Sequence, residues 1–112
     1  MESKNYAAGE TIFTMGDDAK HLFFVLSGEL EVRQDDFMAV IKRGEIFGES
    51  ALLSRPRTLA ARAKSDCVLL SITRDEIIES FAKDPDLVIQ IVDALSTKLA
   101  KTTDELIRLK GN

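Results

Sequence analysis

Ile46-Phe47-Gly48-Glu49-Ser50-Ala51-Leu52-Leu53-Ser54-Arg55-Pro56-Arg57-Thr58-Leu59-Ala60-Ala61 is the stretch from which the rest of the chain can be placed. It reads as an apolar strand end, a glycine, a short helix-like run, a tight loop and an arginine that leads into another strand. Gly48 lets the backbone come close to a ligand, and the start of a helical run offers backbone amides and partial positive charge to an anion. Arg57, fixed after Pro56, supplies a planar, bidentate clamp suited to a phosphate. Glu49 is an acceptor for a ribose hydroxyl. Amides of Ser50 and Ala51 with Arg57 for a phosphate, and a carboxylate for a sugar, together describe a small phosphorylated ribose. The same residues have a plainer reading, in which Glu49 and Arg57 form a solvated ion pair worth at most about 1 kcal/mol and Gly48 is a turn residue.

Upstream, the chain is a series of short strands broken by turn residues. Residues 1–9 read as a lead-in. Glu10-Thr11-Ile12-Phe13-Thr14 reads as a strand and Gly16-Asp17-Asp18 as a turn. His21-Leu22-Phe23-Phe24-Val25-Leu26 is apolar on both faces, as an inner strand is. Ser27-Gly28 breaks it. Glu29-Leu30-Glu31-Val32-Arg33 alternates, with one face buried and one solvated. Asp35-Asp36 turns the chain into Phe37–Ile41, and Arg43-Gly44 turns it again into Glu45-Ile46-Phe47. Beyond the arginine, Thr58–Ala63 resumes as a strand, Lys64-Ser65-Asp66 makes a turn, and Cys67–Ile72 is the last strand. Strands at this spacing predict an antiparallel roll or barrel rather than alternating strand–helix units.

The pattern then becomes helical. Thr73-Arg74-Asp75-Glu76 is a capping-box signature, and Ile77, Ile78 and Phe81 give the short helix an apolar side. Asp84-Pro85 opens a second helix that meets no glycine or proline until Gly111. Leu87, Ile91 and Ala94 form a stripe suited to docking on the roll. Val88, Val92, Leu95, Leu99, Thr102, Leu106 and Leu109 recur at 4-3 spacing over three heptads. This longer stripe outruns the first by about four turns, which predicts a homodimer seam through Val92, Leu95, Leu99, Thr102, Leu106 and Leu109. A single broad stripe lying on the roll is the other reading.

Phe47-Gly48-Glu49-Ser50-Ala51-Leu52, followed by Arg57-Thr58-Leu59, resembles the phosphate-binding cassette of the cyclic nucleotide-binding domain family, of the catabolite activator-like kind. Gly9-Glu10-Thr11-Ile12-Phe13-Thr14-Met15-Gly16-Asp17 is similar to the run that marks the first strand and turn of that family's β-roll. The resemblance covers most of the chain. It implies a mainly β fold: an antiparallel, jelly-roll-like β-roll over residues 1–72, with the cassette at 46–61, then a short and a long C-terminal helix over 73–112. All of it is one domain, 1–112.

The resemblance also implies a site. Phosphate sits on the amides of Ser50 and Ala51, on Arg57 and on Thr58, Gly48 lets the backbone approach the ligand, and ribose sits on Glu49. Leu30, Val32 and Phe47 form apolar walls. Thr102 and Thr103 touch the base, as an adjacent Thr-Ser pair on the long helix does in a member of the family. That pair favours cyclic AMP, while a threonine directly after the arginine also suits cyclic GMP. Two departures stand out. The seven residues between Glu49 and Arg57 are commonly one more in the family, and Leu59 stands where a small alanine is usual.

At 112 residues there is material for one core. With 45% hydrophobic and 30% charged residues the composition is that of an ordinary globular domain. A net charge of −4 argues against this chain itself gripping a nucleic acid. One cysteine, Cys67, allows no internal disulfide and no cysteine cluster, and one histidine, His21, builds no multi-histidine metal site. His21 reads as a rim residue and Cys67 as a small buried hydrophobe. No nucleophile–base grouping is suggested. There is no apolar opening segment and no run long enough to cross a membrane, so the cytoplasm is the expected compartment.

The expectation is a cytoplasmic regulatory sensor module that binds a cyclic nucleotide, without catalytic residues, metal or cofactor. It signals through its C-terminal helix to an attached or partner effector, as a domain of a larger regulator or as a small stand-alone binder. The alternative is a structural or dimerisation module that keeps the roll and binds no ligand. That alternative predicts unchanged stability on Arg57→Ala.

Overall fold

In the third strand, successive side chains face opposite cores: Leu22 and Phe24 lie in one apolar cluster, Phe23 and Val25 in another. A strand buried on both sides needs a layer on each, and the computed structural model supplies a second sheet on one side and helices on the other. It describes the main chain of residues 1–110 and the side chains of residues 1–101. The strands are β1 (Glu2–Tyr6), β2 (Thr11–Phe13), β3 (His21–Ser27), β4 (Leu30–Gln34), β5 (Phe37–Ile41), β6 (Ile46–Phe47), β7 (Ala60–Ala63) and β8 (Cys67–Thr73). Helices α1 (Arg74–Lys83) and α2 (Pro85–Lys110) follow.

Two four-stranded antiparallel sheets form, in the orders β1-β8-β3-β6 and β2-β7-β4-β5. Between them lie Phe23, Val25, Leu30, Val32, Ile41, Phe47, Ala61, Ala63, Cys67 and Leu69. Alanines on β7 leave space for the phenylalanines opposite. At the β3–β4 turn Gly28 has φ 80°, and a Cβ there would stand 2.2 Å from the Asp66 carbonyl oxygen, so the turn tolerates no side chain. The antiparallel β architecture with two C-terminal helices is the one expected.

The second cluster, Leu22, Ile46, Ile72, Ile77 and Ile91, joins the first sheet to the helices. The Thr73 capping box is formed in both directions: Glu76 N–H donates to Thr73 Oγ1 at 3.1 Å and Thr73 N–H to Glu76 Oε1 at 3.0 Å. Leu87 N–H donates to Asp84 Oδ1 at 3.1 Å, capping the start of α2. The expected stop at Gly111 lies outside the described residues.

Four expectations are corrected. The lead-in contains β1, which pairs with β8 from Glu2↔Ser71 to Tyr6↔Cys67. Strand β7 starts at Ala60, not Thr58, because the main chain of Arg57 is occupied elsewhere, as described below. On α1 only Ile77 is buried, while Ile78 and Phe81 are exposed, because a ten-residue helix turns just one narrow face to the roll. On α2 Leu95 packs with Leu87, Ala94 and Ile91 against the roll, whereas Val92 and Leu99 are exposed. Leu95 therefore forms part of the docked face, and the two stripes are not separate there. Thr102, Leu106 and Leu109 lie outside the described side chains.

Candidate functional site

Pro56 ends the tight loop, and the next residue is held by two segments at once. Arg57 N–H donates to the Asp17 carbonyl and Gly16 N–H donates to the Arg57 carbonyl, each at 2.8 Å. The Gly16-Asp17 turn is in turn closed by Thr14, whose N–H and hydroxyl donate to the Asp17 carboxylate at 3.0 and 3.1 Å. The first sequence motif thus fixes the main chain of the second.

From that anchor the Arg57 side chain turns inward and is only 6% exposed. Its Nη1 donates to the Gly48 carbonyl at 2.8 Å and its Nη2 to the His21 carbonyl at 2.6 Å. The guanidinium carbon lies 4.1 Å above the ring of Phe13, within a cluster that includes Phe23 and Phe47. Burial lowers the pKa of Arg57, and the carboxylates of Glu49 and Asp17 work in the opposite direction. An arginine stays charged under any such shift. Among the described residues its buried Nε has no hydrogen-bond partner. An orphan donor of this kind costs about 1–3 kcal/mol.

Gly48 is required twice over. Its φ is 81°, and a Cβ there would stand 2.9 Å from Arg57 Nη1, 3.1 Å from Phe23 Cδ2 and 3.2 Å from the His21 carbonyl. Only glycine lets the cassette close over the guanidinium. Glu49–Leu53 then forms a 3₁₀ turn in which Ala51 N–H donates to the Gly48 carbonyl at 3.3 Å and Arg55 N–H to the Ser50 carbonyl at 3.1 Å. The Ala51 amide, expected to hold a phosphate, is therefore already engaged in the turn, and its side chain is buried.

A cavity of about 70 Å³ lies beside this arrangement. Of the residues expected to bind a ligand, Val32, Phe47, Gly48, Glu49, Ser50, Arg57 and Thr58 line it. Leu30 does not: it opens β4 paired with Ile41 and Ala63, has no exposed surface, and belongs to the sandwich core. Ala51 does not line the cavity either. Thr102 and Thr103 lie outside the described side chains. Leu59 forms part of the wall and packs against the core, occupying volume that a smaller residue would leave open.

Three further lining residues were missed. Phe13 belongs to the first motif and Ile41 to β5, and both needed the sheet topology to be placed. The third is Lys98 on α2. Its Nζ donates to the Ile46 carbonyl at 3.2 Å and forms an ion pair with the Glu49 carboxylate. Lys98 lies one helical turn before Thr102, and that spacing was the only sequence signal for it. His21 takes part through its main chain. Its imidazole is kept below the usual histidine pKa, first by burial and then by Lys4 and Arg57.

The structure thus sets a glycine-hinged 3₁₀ turn over a buried arginine, with a glutamate at its start, in the stretch that carries the sequence resemblance. A family model described as a cyclic nucleotide-binding domain matches residues 3–84. The chain belongs to the cyclic nucleotide-binding domain family. It is similar to the CRP-like cAMP-activated global transcriptional regulator of Mycobacterium tuberculosis, at 22% identity over 97% of this chain and 52% of that protein. Among solved structures it is similar to the Thermus thermophilus catabolite activator protein, with a TM-score of 0.75 and 27% identity over 97% of this chain and 55% of that one. The c-di-GMP-responsive global regulator CLP of Xanthomonas campestris gives a TM-score of 0.75 and 26% identity, covering 97% and 59% of the two chains. The chain spans about half the length of the curated relatives it matches first. Among the described residues no helix is long and apolar enough to cross a membrane.

Proposed function

We propose that this chain is a cytoplasmic regulatory module, without enzymatic activity and without a metal or cofactor, that binds a cyclic nucleotide monophosphate, cyclic AMP ahead of cyclic GMP. The observation that carries the reading is the convergence of Arg57, Glu49, Thr58 and the Gly48–Ser50 backbone on one cavity. Arg57 has spent two of its five donors on carbonyls, and its remaining N–H groups suit a cyclic phosphate. Thr58, exposed at the cavity rim, adds a hydroxyl donor, and Glu49 accepts from the ribose. Cyclic AMP comes first because a similar regulator is described as cAMP-activated and because of the Thr102-Thr103 pair. Signalling follows if binding favours one placement of α2 and so biases an attached or partner effector, or a second copy of this chain.

Thr58→Val tests the phosphate assignment with little risk to the fold, since the side chain is exposed. Loss of one hydroxyl–phosphate bond costs about 1–2 kcal/mol, or roughly 5–30-fold in cyclic AMP affinity. Unchanged affinity would remove Thr58 from the phosphate site. A second reading, a structural module that binds no nucleotide, is favoured by the cavity volume: about 70 Å³ against the roughly 300 Å³ or more of ordinary ligand pockets. On the first reading the cavity must open by moving Leu59 or Lys98. On the second it stays closed, and no nucleotide binds to the unmodified chain.

A further inference from the structure

The Glu49 carboxylate is already in use. Lys98 reaches from α2 across to the cassette, where its ammonium pairs with Glu49 and donates to the Ile46 carbonyl. Its side chain borders both the 70 Å³ cavity and a groove of about 590 Å³ between α2 and the β5–β6 turn. Lys98 is thus a wall residue shared by the two cavities. The groove is also lined by Asp93 and by Glu45, which Lys101 already engages at 3.4 Å.

We infer that Lys98 is a positioning residue that straps α2 to the cassette through Glu49, and that a nucleotide's ribose competes with it for that carboxylate. This deepens the proposed function and rests on it. Lys98 is paired with one carboxylate oxygen, Oε1, and competition arises where the ribose hydroxyl takes that same oxygen; a hydroxyl on Oε2 would leave the pair in place. A displaced ammonium would move toward the groove, which Lys98 also lines and where Asp93 is a lining carboxylate. Release of the strap removes a polar tie between the α2 turn that carries Lys98 and β6, leaving the apolar packing of Ile91, Ala94 and Leu95, and this is the link by which occupancy of the cassette reaches the helix. Both partners are partly exposed, so the effect is modest: removing the strap tightens binding about two- to five-fold.

The test has two arms, each run on the wild type, Lys98→Met (stem kept, charge lost), Lys98→Arg (pair kept), Glu49→Gln, and the Lys98→Met/Glu49→Gln double variant. In the first, without nucleotide, hydrogen exchange is measured at the amides of 94–101. Lys98→Met and Glu49→Gln should each speed exchange, the double variant no more than either alone, and Lys98→Arg not at all. In the second, cyclic AMP is titrated, and Lys98→Met should bind about two- to five-fold more tightly than wild type, with Lys98→Arg close to wild type. Weaker or equal binding by Lys98→Met overturns the competition, weaker binding making Lys98 a ligand contact instead. Unchanged exchange with nucleotide binding intact overturns the strap alone. Coupled exchange in a chain whose wild type binds no cyclic nucleotide overturns the proposed function and, with it, the competition.

Discussion

Arg57→Ala separates a residue that serves a ligand from one that also serves the fold. The guanidinium joins the start of β3, through the His21 carbonyl, to the cassette, through the Gly48 carbonyl, and lies on Phe13. Each charge-assisted hydrogen bond to a buried carbonyl contributes about 1.5–3 kcal/mol, together about 3–6. Truncation also relieves the burial of a cation and the orphan Nε, offsetting about 1–3 kcal/mol. Setting the low ends and the high ends of the two ranges against each other, the net expectation is a loss of about 2–3 kcal/mol, a large share of the roughly 5–15 kcal/mol that holds a domain of this size. Thermal unfolding without nucleotide should show a fall in Tm of about 10–20 °C. Arg57→Lys, which keeps the charge and loses the fork, should fall between. A Tm within about 3 °C of wild type would mean that neither carbonyl bond is held in solution, and would restore the expectation of unchanged stability. Loss of nucleotide binding in Arg57→Ala is for this reason a poor proof of phosphate contact.

His21 gives a pH signature. Its folded pKa is lowered from the ordinary 6.5, first by burial and then by Lys4 and Arg57, so the unfolded chain takes up the proton at higher pH than the folded one. Stability is therefore present above about 6.5 and is lost as pH falls through the folded value. Urea unfolding at about pH 7.5 and 5.5 should show a smaller loss for His21→Gln than for wild type, and equal losses would mean that the imidazole titrates normally. The two leucines of the former stripe should part company. Leu95→Glu places a charge against the docked core and should cost about 2–3 kcal/mol in unfolding. Leu99→Glu, on a side chain 69% exposed, should change unfolding by less than about 0.5 kcal/mol, and sedimentation of this variant beside wild type tests the expected homodimer seam. A folding defect in Leu99→Glu would mean that this face is covered by the chain itself.

The strands with apolar periodicity were legible because burial writes itself into spacing: β3 on both faces, β4 on one. β1 was not, because Glu2-Ser3-Lys4-Asn5-Tyr6 is a polar edge strand held by main-chain bonds to β8, and such bonds leave no mark on side-chain choice. Helix starts were legible through their caps at Thr73 and Asp84. The two-stripe reading of α2 erred at Leu95 because a helix docked along a broad face uses positions that a strict heptad count assigns elsewhere. In the site, Gly48, Glu49 and Arg57 stood out as a group. The inward turn of Arg57 did not, since it depends on carbonyls at His21 and Gly48 that only the assembled sheet brings together. Lys98 is 49 residues from Glu49 in the chain, and a lone lysine on a helix carries no sign of its partner.

The central claim is that the cassette takes a cyclic phosphate and its ribose, and the most direct measurement is calorimetric titration of the unmodified chain with cyclic AMP and with cyclic GMP. The account predicts saturable binding of micromolar order or tighter, about 8 kcal/mol or more, with cyclic AMP the stronger of the two. Heat-free titrations with both nucleotides, on a chain whose unfolding shows it to be folded, would contradict it and leave a roll that Arg57 holds together for its own sake.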